Sequence, residues 1–196
     1  MITPENCKEI IVHCTASNEG VPCTVEQVRR FHVQKRGWSD IAYHYLIYLD
    51  GSVHVGRPLP KDGGHTLGHP RAIGVCYVGG LDKNTHKGKD TRTPAQKAAL
   101  RNLLIQLKQK YPNATIHGHR EFANKACPCF DAKAEYADIS AGKGVKAVSP
   151  IAYQTPGKYP QQQQPQQQQY DPMYELGRVA REVIHQFVRG VQRAAA

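Results

Sequence analysis

Two rhythms of hydrophobic and polar positions run through the first 140 or so residues, and together they describe an α/β chain. Glu9-Ile-Ile-Val-His-Cys14 and Ala72-Ile-Gly-Val-Cys-Tyr-Val78 are short, nearly unbroken apolar runs rich in β-branched residues, the pattern of strands covered on both faces. Ile41 to Tyr48, the turn dipeptide Asp50-Gly51 and Ser52-Val-His-Val55 read as a strand, a tight turn and a returning strand. In the first of these, period-two alternation puts Tyr43, Tyr45 and Ile47 on one face and Ala42, His44 and Leu46 on the other. Another short strand is expected at 114–117.

The helical rhythm appears where capping signals precede it. Thr24-Val-Glu-Gln27 has the form of a capping box, Val25, Val28 and Phe31 or His32 follow at helical spacing, and Gly37 supplies a stop, which predicts a helix over 25–35. Thr93-Pro-Ala-Gln96 provides an N-cap, a proline at the first helical position and a box partner. Behind it Leu100, Leu103, Leu104 and Leu107 form a core-facing stripe that ends at Tyr111-Pro-Asn. Asp131 caps a last short helix through Tyr136. Between the strands, residues 57–71 have the Pro- and Gly-rich composition of a loop, the kind of segment that carries binding residues.

After about residue 140 the pattern changes. Gln161 to Gln169, broken only by Pro165, offers no apolar surface to bury and reads as a flexible spacer. Beyond it Leu176, Val179, Ala180, Val183, Ile184, Phe187, Val188 and Val191 recur at helical spacing, with Arg178, Arg181, His185, Arg189 and Arg193 outside that stripe. The organisation expected is a folded domain over 1–143 that carries the chemistry, a Pro/Gln-rich linker over 144–170, and a cationic amphipathic helix over 171–196. Such a helix either docks on its own domain, self-associates or lies at an anionic membrane surface.

Composition adjusts this picture at a few points. With 196 residues and 40% hydrophobic content, there is room for one ordinary core and an appendage. The 26 Lys and Arg against 16 Asp and Glu leave a formal charge of +10, which suits nucleic acid, an anionic lipid face or a phosphate-rich cell wall without choosing among them. No basic segment followed by a long apolar run opens the sequence, and no stretch approaches the ~20 apolar residues of a membrane span. Synthesis in the cytoplasm, without a signal peptide, is therefore expected. Cys7, Cys14, Cys23, Cys76, Cys127 and Cys129 then read as thiols and ligands rather than a disulfide framework.

The chemistry concentrates in Ala114-Thr-Ile-His-Gly-His-Arg-Glu-Phe-Ala-Asn-Lys-Ala-Cys-Pro-Cys-Phe130. His13, near the end of the first strand, is its natural remote partner. Two histidines and one thiolate, with a fourth position left to water, are the ligand set of an open, catalytic zinc site. Spacing alone leaves His117 against His119, and Cys127 against Cys129, undecided. His32, His54, His86 and His185 read as ordinary core or surface histidines, Tyr43 as a strand aromatic, and Lys125 as a solvated loop charge.

Several segments occur in an order that resembles the zinc-dependent N-acetylmuramoyl-L-alanine amidases. They are Ile10-Ile-Val-His-Cys-Thr-Ala16, Gly37-Trp38, Ala42-Tyr-His-Tyr-Leu-Ile47, Asp50-Gly51, Ala72 to Gly80, Thr93-Pro-Ala-Gln96, and His119-Arg-Glu121 with Lys125-Ala-Cys-Pro128. The resemblance covers roughly residues 9–136 and is to the phage lysozyme or endolysin type, which shares its fold with peptidoglycan recognition proteins. It implies a central mixed β-sheet flanked by helices and one zinc ion held by His13, His119 and Cys127. It further implies catalytic roles for Tyr43 and Lys125, and a place for His65 along the substrate groove. The expected substrate is bacterial peptidoglycan, cut at the amide between N-acetylmuramic acid and L-alanine, by a monomer that reaches the wall after membrane breach and has no nucleic-acid partner. Two other readings suit the same fold: a peptidoglycan-binding module that does not cut, and an intracellular polymerase regulator. Cys129, the glutamine spacer and the terminal helix depart from the family pattern, and Glu121 reads either as support for a ligand histidine or as a surface charge.

Overall fold

The computed structural model describes residues 1–143 and 150–154, which lie in a compact unit spanning Met1–Lys158. Most of the expected linker and all of the expected terminal helix lie outside the described residues. Within them, β1 (Glu9–Cys14), β3 (Tyr45–Ile47), β4 (Val53–Val55), β5 (Ile73–Tyr77) and β7 (Thr115–Gly118) form one sheet in the order β4-β3-β5-β1-β7. β3, β5, β1 and β7 run parallel, and β4 pairs antiparallel with β3 at the edge, so the sheet is mixed as expected. A two-stranded pair, β2 (Ser17–Asn18) with β6 (Gly80–Leu81), extends from the ends of β1 and β5. The sequence pattern does not announce this pair, because two residues cannot show a period.

The register sorts side chains onto two faces. Ile10 pairs with Ile73 and Ile116, and Val12 with Val75, so that these residues share a face, whereas Ile11, Gly74, His13 and Cys76 share the other. The first face is covered by α2 (Pro94–Lys110), α3 (Ala132–Glu135) and α4 (Ala137–Ser140), which contribute Leu100, Leu103, Leu104, Leu107, Ala132 and Ile139 to one apolar cluster. The second face is covered in part by α1 (Val25–Arg30), with Val25, Val28, Ile41, Leu46, Cys76 and Val78 in a smaller cluster.

Both predicted capping boxes form. Thr24 accepts from the Gln27 backbone N–H while Gln27 accepts from Thr24 N–H, and Thr93 and Gln96 repeat the exchange. Gln96 goes further: its buried amide donates to the carbonyls of Ile47 and Val78, tying the start of α2 to the ends of two strands. Gly51 closes the β3–β4 hairpin at φ +84°, and a Cβ there would meet the Ala95 carbonyl at 2.8 Å, so the turn requires glycine both for its backbone and for its seat against α2.

The structure differs from the predicted elements in three places. The helix predicted over 25–35 is α-helical only to Arg30 and continues as a wider π-helical turn over Phe31–Lys35, which Arg36 N–H closes onto Phe31 O. The strand predicted from Ile41 begins at Tyr45. Carbonyls of Ala42, Tyr43 and His44 accept from Gly64, Arg57 and Gly56, which draws this segment out of a regular ladder. As a result Tyr43 packs with the α1-side cluster while Tyr45 packs with the α2-side cluster, although alternation predicts a shared face. Finally, Gln154 exchanges backbone hydrogen bonds with Val53 and Val55, and Tyr153 stacks near Tyr45 at 5.4 Å, so residues just past the expected domain boundary at 143 lie along the outer edge of β4.

Candidate active site

The parallel direction of β1 and β7 brings their C-terminal ends to the same end of the sheet. β1 delivers His13 there on the α1-side face, and β7 ends at Gly118, after which the 3₁₀ turn His119–Glu121 swings His119 toward His13, with ring centroids 4.5 Å apart. Glu121 fixes that turn from below: one carboxylate oxygen accepts from Gly118 N–H and the other pairs with His117 Nδ1, both at 2.8 Å. The chain then loops out through Lys125 and returns, Arg120 N–H bonding to the Cys127 carbonyl, which sets the Cys127 thiol beside β1.

One nitrogen each of His13 and His119 and the Cys127 sulfur all lie within 4.8 Å of one another, and among the described residues this is the group of three or more such side chains able to hold a metal ion. The Cys127 sulfur is 3.9 Å from His13 Nδ1. Zinc–sulfur and zinc–nitrogen bonds of about 2.3 and 2.0 Å at a tetrahedral angle would put the two atoms roughly 3.5 Å apart, so the donors fit a common ion with little adjustment. The Cys14 backbone N–H points at the Cys127 sulfur from 3.3 Å and holds the thiol beside the end of β1. Burial, followed by the neighbouring His65, His119 and Lys125, holds the His13 imidazole well below its usual value, and burial with Lys125 lowers His119. Both rings are thus neutral, with lone pairs to donate, at neutral pH.

The alternatives that spacing left open are placed elsewhere. His117 is engaged by Thr115 and Glu121. The Cys129 thiol donates to the Gly80 carbonyl at 3.0 Å, lies 3.8 Å from the Cys14 sulfur, and is not among the three converging donors. All six cysteines are free thiols.

Around the donors stand Tyr43, Lys125 and His65. The Tyr43 ring sits between His13 and His32, at 5.2 and 5.4 Å, and burial together with the thiols of Cys76, Cys127 and Cys14 keeps its phenol protonated far above the usual range. Lys125 is exposed on the loop between the ligands, close enough that its charge is felt by both histidines. His65, expected along the groove, is 7% exposed and lies beneath His13, its Nδ1 3.0 Å from His13 Nε2; burial lowers its pKa to about 3. Two partners of His65 carried no signal in the sequence: Thr66, whose hydroxyl lies 3.0 Å from the same Nδ1, and the buried His44, 5.8 Å away ring to ring.

This geometry meets an independent finding. The family model described as N-acetylmuramoyl-L-alanine amidase matches residues 3–130. The chain belongs to that family. Among its relatives, the endolysin of Klebsiella phage KP32 is 39% identical over 130 residues, 66% of this chain and 85% of that protein. The endolysin of Escherichia phage T7 is 43% identical over 132 residues, again 66% and 85%. The solved amidase LysC from Clostridium intestinale superposes with a TM-score of 0.57 at 27% identity, covering 70% of this chain and 87% of that one. The amidase described here is thus a hydrolase of the phage endolysin type, acting on the bond between N-acetylmuramic acid and L-alanine in peptidoglycan. No helix among the described residues is long and apolar enough to cross a membrane.

Proposed function

We propose that the amidase works with one zinc ion held by His13, His119 and Cys127, and that Tyr43 and Lys125 are its catalytic side chains. The observation that carries this is the convergence of two neutral imidazoles and a hydrogen-bonded thiol within 4.8 Å, with a phenol and an ammonium beside them. Two nitrogens and one sulfur leave room for water or a substrate oxygen, which is the arrangement of catalytic rather than structural zinc. When bound, zinc polarises the scissile carbonyl and lowers the pKa of water toward neutrality.

The chain's own groups divide the remaining work. As water oxygen adds to the lactyl carbonyl carbon, negative charge builds on the carbonyl oxygen, and the exposed Lys125 ammonium pairs with it there. The C–N bond then breaks and the L-alanine nitrogen needs a proton. Tyr43, a phenol held protonated by its surroundings, serves as a hydrogen-bond donor that orients the attacking water, or relays the proton this water gives up to the leaving amine. A non-cutting binding module has no use for this combination of donors, phenol and ammonium.

In the setting we propose, the enzyme is made in the host cytoplasm, acts as a monomer, and meets the wall once the inner membrane is breached. The Arg-rich segment 171–196 aids its approach to an anionic membrane or wall surface. Purified protein should release new L-alanine amino termini from isolated peptidoglycan, stop on chelation and recover with added zinc; undiminished release after exhaustive chelation would overturn the zinc reading. Deleting 171–196 should reduce lysis of intact cells and spare hydrolysis of isolated peptidoglycan, whereas equal loss in both assays would remove the surface role.

A further inference from the structure

An imidazole can offer a metal only the nitrogen that carries no hydrogen, so a ligand histidine has to be held in the right tautomer. For His13 the decision is made two residues deep. His65 Nε2 lies 3.0 Å from the Ala72 carbonyl, an oxygen that can only accept, so this nitrogen carries the hydrogen. A neutral ring has one N–H, and His65 spends it there; its Nδ1 is therefore a lone pair. That lone pair faces His13 Nε2 at 3.0 Å. Were His13 protonated on Nδ1 instead, two lone pairs would oppose each other at hydrogen-bond distance. Reversing His65 to avoid this would set its bare Nε2 against the Ala72 oxygen. The Thr66 hydroxyl, 3.0 Å from His65 Nδ1 and 3.5 Å from His13 Nε2, can turn to either atom and forces neither state.

The slot that holds His65 is specific to a flat ring. A Cβ on Gly74 would come within 2.4 Å of the His65 ring, and one on Gly63 within 2.6 Å, so glycines of β5 and of the preceding loop form its two walls. Gly74 N–H donates to His44 Nδ1, and His44 Nε2 meets the Lys61 carbonyl, which locks the wall itself in place.

We propose that His65 is a positioning residue that holds His13 as its Nε2–H tautomer, through a chain running from the Ala72 carbonyl to His65 to His13, and thereby reserves His13 Nδ1 for the metal. His13 Nδ1 is the atom that lies 3.9 Å from the Cys127 sulfur, on the metal side of the ring. The consequence for affinity rests on the zinc reading above; the tautomer does not.

Nitrogen-15 NMR of the full-length chain, zinc-loaded and after chelation, tests this directly. His13 should report the Nε2–H tautomer in both states. Substituting His65→Leu removes the acceptor and should weaken zinc binding by roughly 10- to 100-fold, measured by competition with a chelating dye. His65→Asn places an amide oxygen where Nδ1 stood and should recover most of that loss. An Nδ1–H tautomer for His13 after chelation, or an Asn variant as weak as the Leu variant with both natively folded, would overturn the proposal. If the Leu variant does not fold, the wild-type tautomer decides alone. If the wild type binds no zinc, the zinc reading fails while the tautomer of His13 remains measurable.

Discussion

The two faces of the central sheet are made from the same strands and solve different problems. Toward α2, α3 and α4 the strands present Ile10, Val12, Ile73, Val75 and Ile116 to a stripe of leucines, and the cluster is apolar almost throughout. Toward α1 the same strands present Ile11, His13, Gly74 and Cys76, and over them lie His44, His65 and Tyr43. Even the polar groups that border the first face serve packing. Arg92, with a side chain 1% exposed, lies 3.2 Å over the Phe130 ring and is held by Asp90, Glu135 and the Tyr136 hydroxyl, pinning α3 to the loop before α2. One face supplies the folding energy that lets the other keep a row of desolvated imidazoles, which costs stability and is worth retaining only for chemistry.

That division predicts which substitutions damage what. His119→Ala, on the α1-side face and half-buried, should lower amidase activity by at least about a thousandfold, a barrier increase of roughly 4 kcal/mol, while barely moving the thermal midpoint in metal-free protein. Lys125→Ala should reduce kcat by about 10²- to 10³-fold with stability unchanged, since the side chain is exposed and would act only on developing charge. Leu104→Ala, fully buried under the opposite face, should reverse the pattern: about 2–5 kcal/mol of unfolding free energy lost by denaturant titration, with kcat/KM near wild type at low temperature.

Smaller effects sharpen the same contrast. Burial raises the carboxyls of Asp90 and Glu135, but the hydrogen bonds and charge of Arg92 outweigh it and hold both below their ordinary values. Groups depressed in the folded state stabilise it above their unfolded pKa values, and that stability is lost as pH falls through the folded ones. Unfolding free energy should therefore decline below about pH 4.5, and Arg92→Met should flatten this limb of the curve. The smallest change expected is Thr93→Ala, which removes the cap of α2 and should cost about 1 kcal/mol without touching activity.

The apolar face was largely legible in the sequence, because burial and helical or alternating period are properties of single segments: the Leu100, Leu103, Leu104 and Leu107 stripe behind Thr93 needs no knowledge of its partner. The functional face was legible only in pieces. His13 and the 114–130 stretch could be named as metal chemistry from residue type, yet the choice of His119 and Cys127 rested on resemblance, since the folding-back of the loop onto Arg120 is not written in any period. His44, Thr66 and Gly74 carried no signal, for their roles arise from contacts across 30 to 53 positions of sequence: Gly74 with His44, and His65 and Thr66 with His13. The mistaken shared face for Tyr43 and Tyr45 has the same origin, a long-range pull by Arg57 and Gly56 on a segment whose local pattern is that of a strand.

The central claim is that the chemistry belongs to His13, His119 and Cys127, and zinc content tests it most directly. Elemental analysis of the purified full-length chain should find one zinc per molecule in the wild type and in Cys129→Ser, and none in Cys127→Ser, with amidase activity following the metal. A Cys127→Ser protein that keeps both its zinc and its activity would contradict the account, as would loss of both on substituting Cys129 in a chain that remains folded.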